Sequence, residues 1–337
     1  MIEYPSANWK DYELLDSGCG EKLERFGNYV LARPEPKALW DKSMSEEQWR
    51  RLTHTSFTPG AGFGKAGKED SGTWNRHKKM DDQWYISYPG LQEGLKFDLR
   101  LGLTSFKHVG VFPEQAPNWE WIFEHTRSLA LRSGSSPLQT SATQTPPQAV
   151  PPLMSPRVAQ FAEGTPAPGA KPRVLNLFAY TGGASLAAKA AGADVTHLDS
   201  VRQVVTWARG NMEHSGLDGI RWIVEDAMKF AKREAKRGNL YDGIILDPPA
   251  YGHGPDGEKW KLDECLFDML RNINMILKPE NSWVVLNLYS NGFSAALGET
   301  VCKQAFKGIK HIESGELALV DKFGKALPLS IVVRLER

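Results

Sequence analysis

From residue 173 onward the chain alternates short apolar runs with helix-forming stretches, and this alternation restricts the fold more than any other feature. Runs at 174–178, 195–198, 221–224, 241–246 and 283–288 read as strands, while 184–191, 203–214, 227–237 and 262–277 read as helices. Successive strands linked through helices form βαβ crossovers, and hence a parallel sheet covered on both faces. The tail departs from this pattern. After a helix at 295–306, strand-like runs at 316–320 and 329–335 flank a turn at 321–325, a hairpin that should close the sheet on an antiparallel edge. The expected fold class is α/β, a mostly parallel sheet with a C-terminal antiparallel hairpin, preceded by a small β-rich domain.

That preceding domain is read in residues 1–116, where tryptophans (Trp9, Trp40, Trp49, Trp74, Trp84) accompany strand-like segments at 26–33, 84–88 and 95–101. Ser45 opens a capped helix through residue 52, and a connecting helix is expected over 117–132. Residues 133–172 hold nine of the 21 prolines among Ser, Thr, Gln and Ala, a composition that buries too little apolar surface to offset its ordering entropy. The segment is read as a linker or surface insertion, and 173–337 as the catalytic domain. A length of 337 residues accommodates two such cores.

Composition narrows the function classes. Lys and Arg total 41 against 40 Asp and Glu, which excludes a polybasic tail or an acidic disordered chain. No apolar run reaches the ~18 residues of a membrane span, and residues 1–10 do not read as a signal peptide, so no membrane partner and a cytoplasmic location are expected. Cys19, Cys265 and Cys302 are too scattered for a disulfide framework and lack metal-ligand spacing, so no metal is expected. One local candidate for a nucleic-acid surface is the basic, Trp74-containing stretch from Lys65 to Lys79, although an exposed Gly-rich loop is the favoured reading of it.

Open parallel sheets bind ligands at the carboxyl ends of their strands. The first strand leaves through Asn176-Leu-Phe178-Ala179-Tyr180-Thr181-Gly182-Gly183, where paired glycines permit a tight turn and close approach to a ligand. The phosphate-binding GxGxxG pattern is absent, which disfavours a nicotinamide dehydrogenase and favours a nucleoside ligand without phosphates. Asp199 ends the second strand, where a carboxylate can accept ribose hydroxyls or cap a helix. Asp226, before Ala227, can accept an adenine amino group or cap the following helix. In Asp247-Pro248-Pro249-Ala250-Tyr251, two prolines remove N–H donors at the end of a buried strand. The loop then offers carbonyl and carboxylate acceptors with an aromatic ring close behind, which suits a planar amino-bearing substrate.

Together these motifs resemble class I S-adenosylmethionine-dependent methyltransferases. More narrowly, 175–182 resembles the bacterial methyltransferases of large-subunit ribosomal RNA. The resemblance covers 173–337 and extends more loosely to 107–115. It implies a Rossmann-like domain with a seven-stranded sheet, S-adenosyl-L-methionine as cofactor and RNA as partner. It also implies that Asn176, Phe178, Ala179, Tyr180, Thr181 and Gly182 pass under the methionine part of the cofactor. Asp199 with Ser200 would hold the ribose, and Asp226 with Ala227 the adenine. Asp247 and Pro248 would orient the target base, Tyr251 would stack on it, and Phe112 and Gln115 would close over the cofactor.

Relatives that make 5-methylcytosine place a cysteine just after the fifth strand, because pyrimidine C5 needs covalent activation. Here 287–291 holds none, and Cys265 and Cys302 fall within expected helices. A ring or exocyclic nitrogen, guanine favoured, is therefore the expected target in ribosomal RNA. A small-molecule or protein acceptor, a cytosine-C5 reaction and a non-catalytic cofactor-binding module stand as alternatives.

Overall fold

The computed structural model describes residues 1–62, 71–134, 169–289 and 292–337. Lys65 and Lys68 of the basic stretch, most of the Pro-rich segment, and Ser290 and Asn291 lie outside these described residues.

The N-terminal part runs β1 (Ile2–Glu3), β2 (Tyr12–Gly18), β3 (Glu21–Phe26), β4 (Tyr29–Pro34), α1 (Glu46–Leu52), β5 (Thr55–Pro59), β6 (Gly72–Arg76), β7 (Gln83–Tyr88) and β8 (Phe97–Gly102). Strands β2 to β6 form one five-stranded sheet in chain order, and β7 and β8 pair as a separate hairpin. The single strand expected at 26–33 is instead a hairpin corner. Phe26 pairs with Tyr29 across Gly27-Asn28, where Gly27 at φ 60° turns the chain; reading 26–33 as one strand passed over the turn signal of that Gly-Asn pair. Helix α1 begins with a full capping box in which Ser45 and Gln48 satisfy each other's backbone N–H groups. Helix α2 (Ala116–Arg132) follows a one-turn segment, Pro113–Gln115, with Pro117 in its first turn.

The remainder alternates as expected: β9 (Arg173–Leu177), α3 (Gly183–Ala190), β10 (Asp194–Asp199), α4 (Arg202–His214), β11 (Arg221–Val224), α5 (Ala227–Arg237) and β12 (Gly243–Leu246). A small hairpin, β13 (Tyr251–His253) and β14 (Lys259–Lys261), precedes α6 (Leu262–Ile276), β15 (Trp283–Leu288), α7 (Ala295–Ala305), β16 (His311–Val320) and β17 (Ala326–Glu336). The sheet order is β1-β16-β17-β15-β12-β9-β10-β11. Seven of these strands belong to the expected domain; the eighth, β1, comes from the N-terminus and pairs parallel to β16 at the edge. Strand β17 lies antiparallel between β15 and β16. The order reverses direction between β9 and β12, so the loops after these two strands open onto one crevice.

The boundary near residue 116 separates two kinds of sheet that share one of the buried clusters. One buried cluster joins Trp9, Tyr88, Phe97 and Trp119 to Leu186, Val195, Trp283 and Val332. A second contact fixes the N-terminal sheet to the β16–β17 turn. Asp16 is fully buried, and its carboxylate accepts bonds from the Met44 N–H (2.9 Å), the Trp49 indole (2.8 Å) and the Lys325 ammonium (2.8 Å). Burial works to raise its pKa, but these donors together hold the carboxyl below its ordinary value. Among the described residues, no helix is long and apolar enough to cross a membrane.

Candidate active site

The turn after β9 is held in a strained shape. Phe178 and Tyr180 have φ of 57° and 49°, left-handed conformations that cost non-glycine residues about 1–3 kcal/mol each. Neighbouring strands over-determine them: the Ala179 N–H donates to the Leu198 carbonyl (3.0 Å) and the Tyr180 N–H to Asp199 Oδ2 (3.0 Å). Asp199 Oδ1 accepts from the Val201 N–H at 3.0 Å. Burial raises the Asp199 pKa, opposed by the N–H donors of Val201 and Tyr180. Beneath the turn, Asn176 Nδ2 donates to Ser185 Oγ (2.9 Å), which meets His197 Nδ1 at 3.0 Å. Burial pushes His197 down to about 3, so this imidazole is neutral.

Two clefts meet at Phe178. The larger, about 540 Å³, is lined by Phe112, Gln115, Asn176, Phe178, Ala179, Tyr180, Thr181, Gly182 and Asp247, together with Asn118, Trp119 and Asn287. The smaller, about 330 Å³, is lined by Phe178, Asp199, Ser200, Asp226 and Ala227, with Pro249, His253 and Trp260 opposite. Residues from five separate strand ends are thus gathered on one crevice. The 107–115 segment is tied to the turn directly, because Thr181 Oγ1 donates to the Gly110 carbonyl at 2.7 Å.

Two expected residues are placed differently. Pro248 is buried and lines neither cleft. Tyr251 also lines neither: its hydroxyl meets His253 Nε2 at 3.1 Å and its ring stands edge-on to that imidazole, because β13 pairs with β14 and turns the side chain aside. Asp226 does cap α5, accepting from the Lys229 N–H at 2.8 Å, while it also borders the smaller cleft.

The polar side chains lining the larger cleft are tied to one another and to groups just behind it. Asn287 Nδ2 donates to Asp247 Oδ1 (2.8 Å), and Ser330 Oγ donates to Asn287 Oδ1 (3.0 Å). Gln115 Nε2 donates to the Tyr289 hydroxyl (2.9 Å), and Asn118 Nδ2 donates to Gln115 Oε1 (2.8 Å). Phe112 packs between Tyr180 and Tyr289, with ring centroids 5.3 and 5.2 Å away. Burial pushes the Asp247 carboxyl up to about 7; the Asn287 bond opposes this and the nearby Glu114 carboxyl adds to it. A carboxyl of that affinity can take or give a proton near neutrality. Sequence reasoning missed Asn287, although the register contained it: Leu246 pairs with Leu286, so the next residues out of the parallel strands are Asp247 and Asn287.

A solved structure of the SAM-dependent methyltransferase from Agrobacterium tumefaciens superposes with a TM-score of 0.78 at 33% identity, covering 100% of this chain and 93% of that one. The chain belongs to the S-adenosylmethionine-dependent methyltransferases. The family model for S-adenosylmethionine-dependent methyltransferases matches residues 165–304. Ribosomal RNA large subunit methyltransferase K/L of Shewanella frigidimarina is 32% identical over 118 residues, 34% of this chain and 16% of that protein. Ribosomal RNA large subunit methyltransferase I of Klebsiella pneumoniae is 35% identical over 82 residues, 23% of this chain and 20% of that protein. The matches therefore span a fifth or less of these curated relatives. In this methyltransferase neither cleft is lined by a cysteine. Cys302 is fully buried with its thiol pushed up to about 12, and Cys265 is half-buried in α6.

Proposed function

We propose that this methyltransferase modifies a nitrogen of a base, guanine favoured, in large-subunit ribosomal RNA, and acts in the cytoplasm. The observation that carries the nitrogen target is the Asp247–Asn287 pair at the base of the larger cleft, with no thiolate within that cleft. A ring carbon of cytosine would need a cysteine nucleophile; a nitrogen needs chiefly orientation and an acceptor for its proton.

The residues present fit the cofactor. Each Asp199 oxygen already accepts one backbone N–H, and its remaining lone pairs border the smaller cleft, as two ribose hydroxyls require. On this reading Asp226 and Ala227 bound the adenine, and the Asn176–Gly182 turn carries the methionine part, with Phe112 and Gln115 opposite it. Bound S-adenosylmethionine supplies an electrophilic methyl group on a sulfonium. The chain's own task is to align the acceptor nitrogen with that methyl and to exclude water, a contribution of ~7–11 kcal/mol in well-oriented systems. Asp247 accepts a hydrogen bond from the target N–H, with its orientation fixed by Asn287. The names of the two curated relatives support the ribosomal substrate. Residues 1–116 would serve as the domain that recognises the RNA.

The test is methyl transfer from labelled S-adenosylmethionine to total RNA from a strain lacking the protein, followed by nucleoside mass spectrometry. A single methylated guanosine is expected. 5-Methylcytidine would overturn the nitrogen reading, and no transfer to RNA with cofactor bound would move the substrate to a small molecule or protein.

A further inference from the structure

Strand β17 carries a charged side chain into the buried interior. Arg334 is 4% exposed, and all five of its N–H donors are engaged. Its Nη1 donates to Glu3 Oε1 (2.8 Å) and Glu313 Oε1 (3.1 Å), and its Nη2 to Glu3 Oε2 (3.0 Å). The other two donors converge on one atom: Nη2 and Nε reach Asn118 Oδ1 at 2.9 and 3.2 Å. Pairing with Glu3 of β1 and Glu313 of β16 would be enough for a cation that only tied strands together. The bonds to Asn118 go further, because Asn118 begins a chain of side-chain amides along the larger cleft.

The direction of every bond in that chain follows from the guanidinium. Arg334 can only donate, so Asn118 turns Oδ1 to it and Nδ2 away. Nδ2 then donates to Gln115 Oε1 (2.8 Å), which leaves Gln115 Nε2 to donate to the Tyr289 hydroxyl (2.9 Å). Reversing either amide would set donor against donor. Both amides line the larger cleft. After these bonds Asn118 Nδ2 and Gln115 Nε2 each keep one hydrogen, and Gln115 Oε1 keeps one lone pair. Neither Lys nor Arg lines this cleft, so side-chain N–H donors are what this wall offers an anionic group.

We propose that Arg334 is a positioning residue for the cofactor: through Asn118 it fixes the orientation of the Gln115 amide, so that the wall formed by Asn118 and Gln115 meets the carboxylate of the methionine part with N–H donors. The inference rests on the placement of the methionine part opposite Gln115 given above. Arg334 lines neither cleft and acts only through the two amides. Glu3 and Glu313 neutralise the guanidinium, so what reaches the cleft is the orientation of the amides rather than a net positive charge.

Calorimetry on the full chain compares S-adenosylhomocysteine with its decarboxylated analogue, which lacks only the carboxylate. The wild type should bind S-adenosylhomocysteine the more tightly. Arg334→Met keeps much of the side chain's apolar stem and removes its donors. It should weaken S-adenosylhomocysteine about tenfold, the scale of one lost charge-assisted hydrogen bond, and leave the decarboxylated ligand within about twofold. If Arg334→Met does not fold by circular dichroism, Asn118→Leu replaces it, cutting the chain while the guanidinium keeps Glu3 and Glu313, and the same selective loss is expected. A merely structural role would weaken both ligands alike, and equal losses overturn the proposal. So does an unchanged S-adenosylhomocysteine affinity in the folded variant. Gln115→Leu separates this inference from the placement beneath it: a selective loss there with none in Arg334→Met refutes the relay and retains the placement. Equal affinity of the two ligands for the wild type refutes the placement and the proposal together.

Discussion

Asp199→Asn tests the cofactor reading most sharply, because the structure fixes what the substitution removes. Each oxygen of the carboxylate accepts one backbone N–H at 3.0 Å, from Tyr180 on one side and Val201 on the other. A carboxylate oxygen has two lone pairs, so one remains on each oxygen for a ribose hydroxyl. The amide keeps one acceptor and turns the other into a donor that confronts a backbone N–H. One charge-assisted bond to the ligand is then lost outright, worth ~1.5–3 kcal/mol. That is roughly 10- to 150-fold in Kd for S-adenosylhomocysteine, measured by calorimetry. The strained turn at Tyr180 also loses a tether, so a lower Tm alone would not establish the ribose contact. The decisive comparison uses a ligand lacking both ribose hydroxyls. It should lose less affinity on the variant than on the wild type, since the variant has already lost one of the two bonds. Affinity of Asp199→Asn within twofold of wild type, or equal losses for the hydroxyl-free ligand on both proteins, would refute the assignment.

Three other perturbations have defined outcomes. The Asp247 carboxyl titrates at about 7 in the folded chain against an ordinary 3.8, so between those values the folded state binds more protons than the unfolded one and stability falls as pH rises. Asp247→Asn should remove that slope: its Tm should gain on the wild type between about pH 4 and pH 7 and level off above, by calorimetry, and parallel curves would contradict the raised affinity. Gly183→Ala places a Cβ 2.9 Å from the Trp119 ring, forcing the indole into the cleft. A loss of ~1–3 kcal/mol in stability by denaturant titration, together with weaker cofactor binding, is expected, and unchanged values would mean that the ring yields freely. Cys265→Ser and Cys302→Ser should both retain methyl transfer where they remain folded, although a hydroxyl in the fully buried site of Cys302 should lower Tm. Loss of turnover with cofactor binding intact would reinstate a thiolate mechanism.

The sequence by itself determined the α/β architecture after residue 173. Strands buried on both faces are continuous apolar runs, and the stretches between them are helix-forming, with α5 also marked by its Asp226 cap and Gly238 stop, so local chemistry settles most elements. Asp199, Asp226 and Asp247 were legible for a related reason: each directly follows or ends such a strand, and a sheet of this kind opens its crevice there. Tertiary structure decided what those ends face. Tyr251 sits in the motif expected to hold the substrate, yet the β13–β14 pairing turns its hydroxyl to His253. The hairpin at Phe26–Tyr29, by contrast, was legible in its Gly27-Asn28 pair, which the reading of 26–33 as one strand passed over. The Gln115–Tyr289 and Asn287–Asp247 pairs are assembled from a one-turn helix and two strand ends far apart in the chain. No periodicity links such positions; only packing across both sheets brings them together, and with it the burial that raises the proton affinity of Asp247.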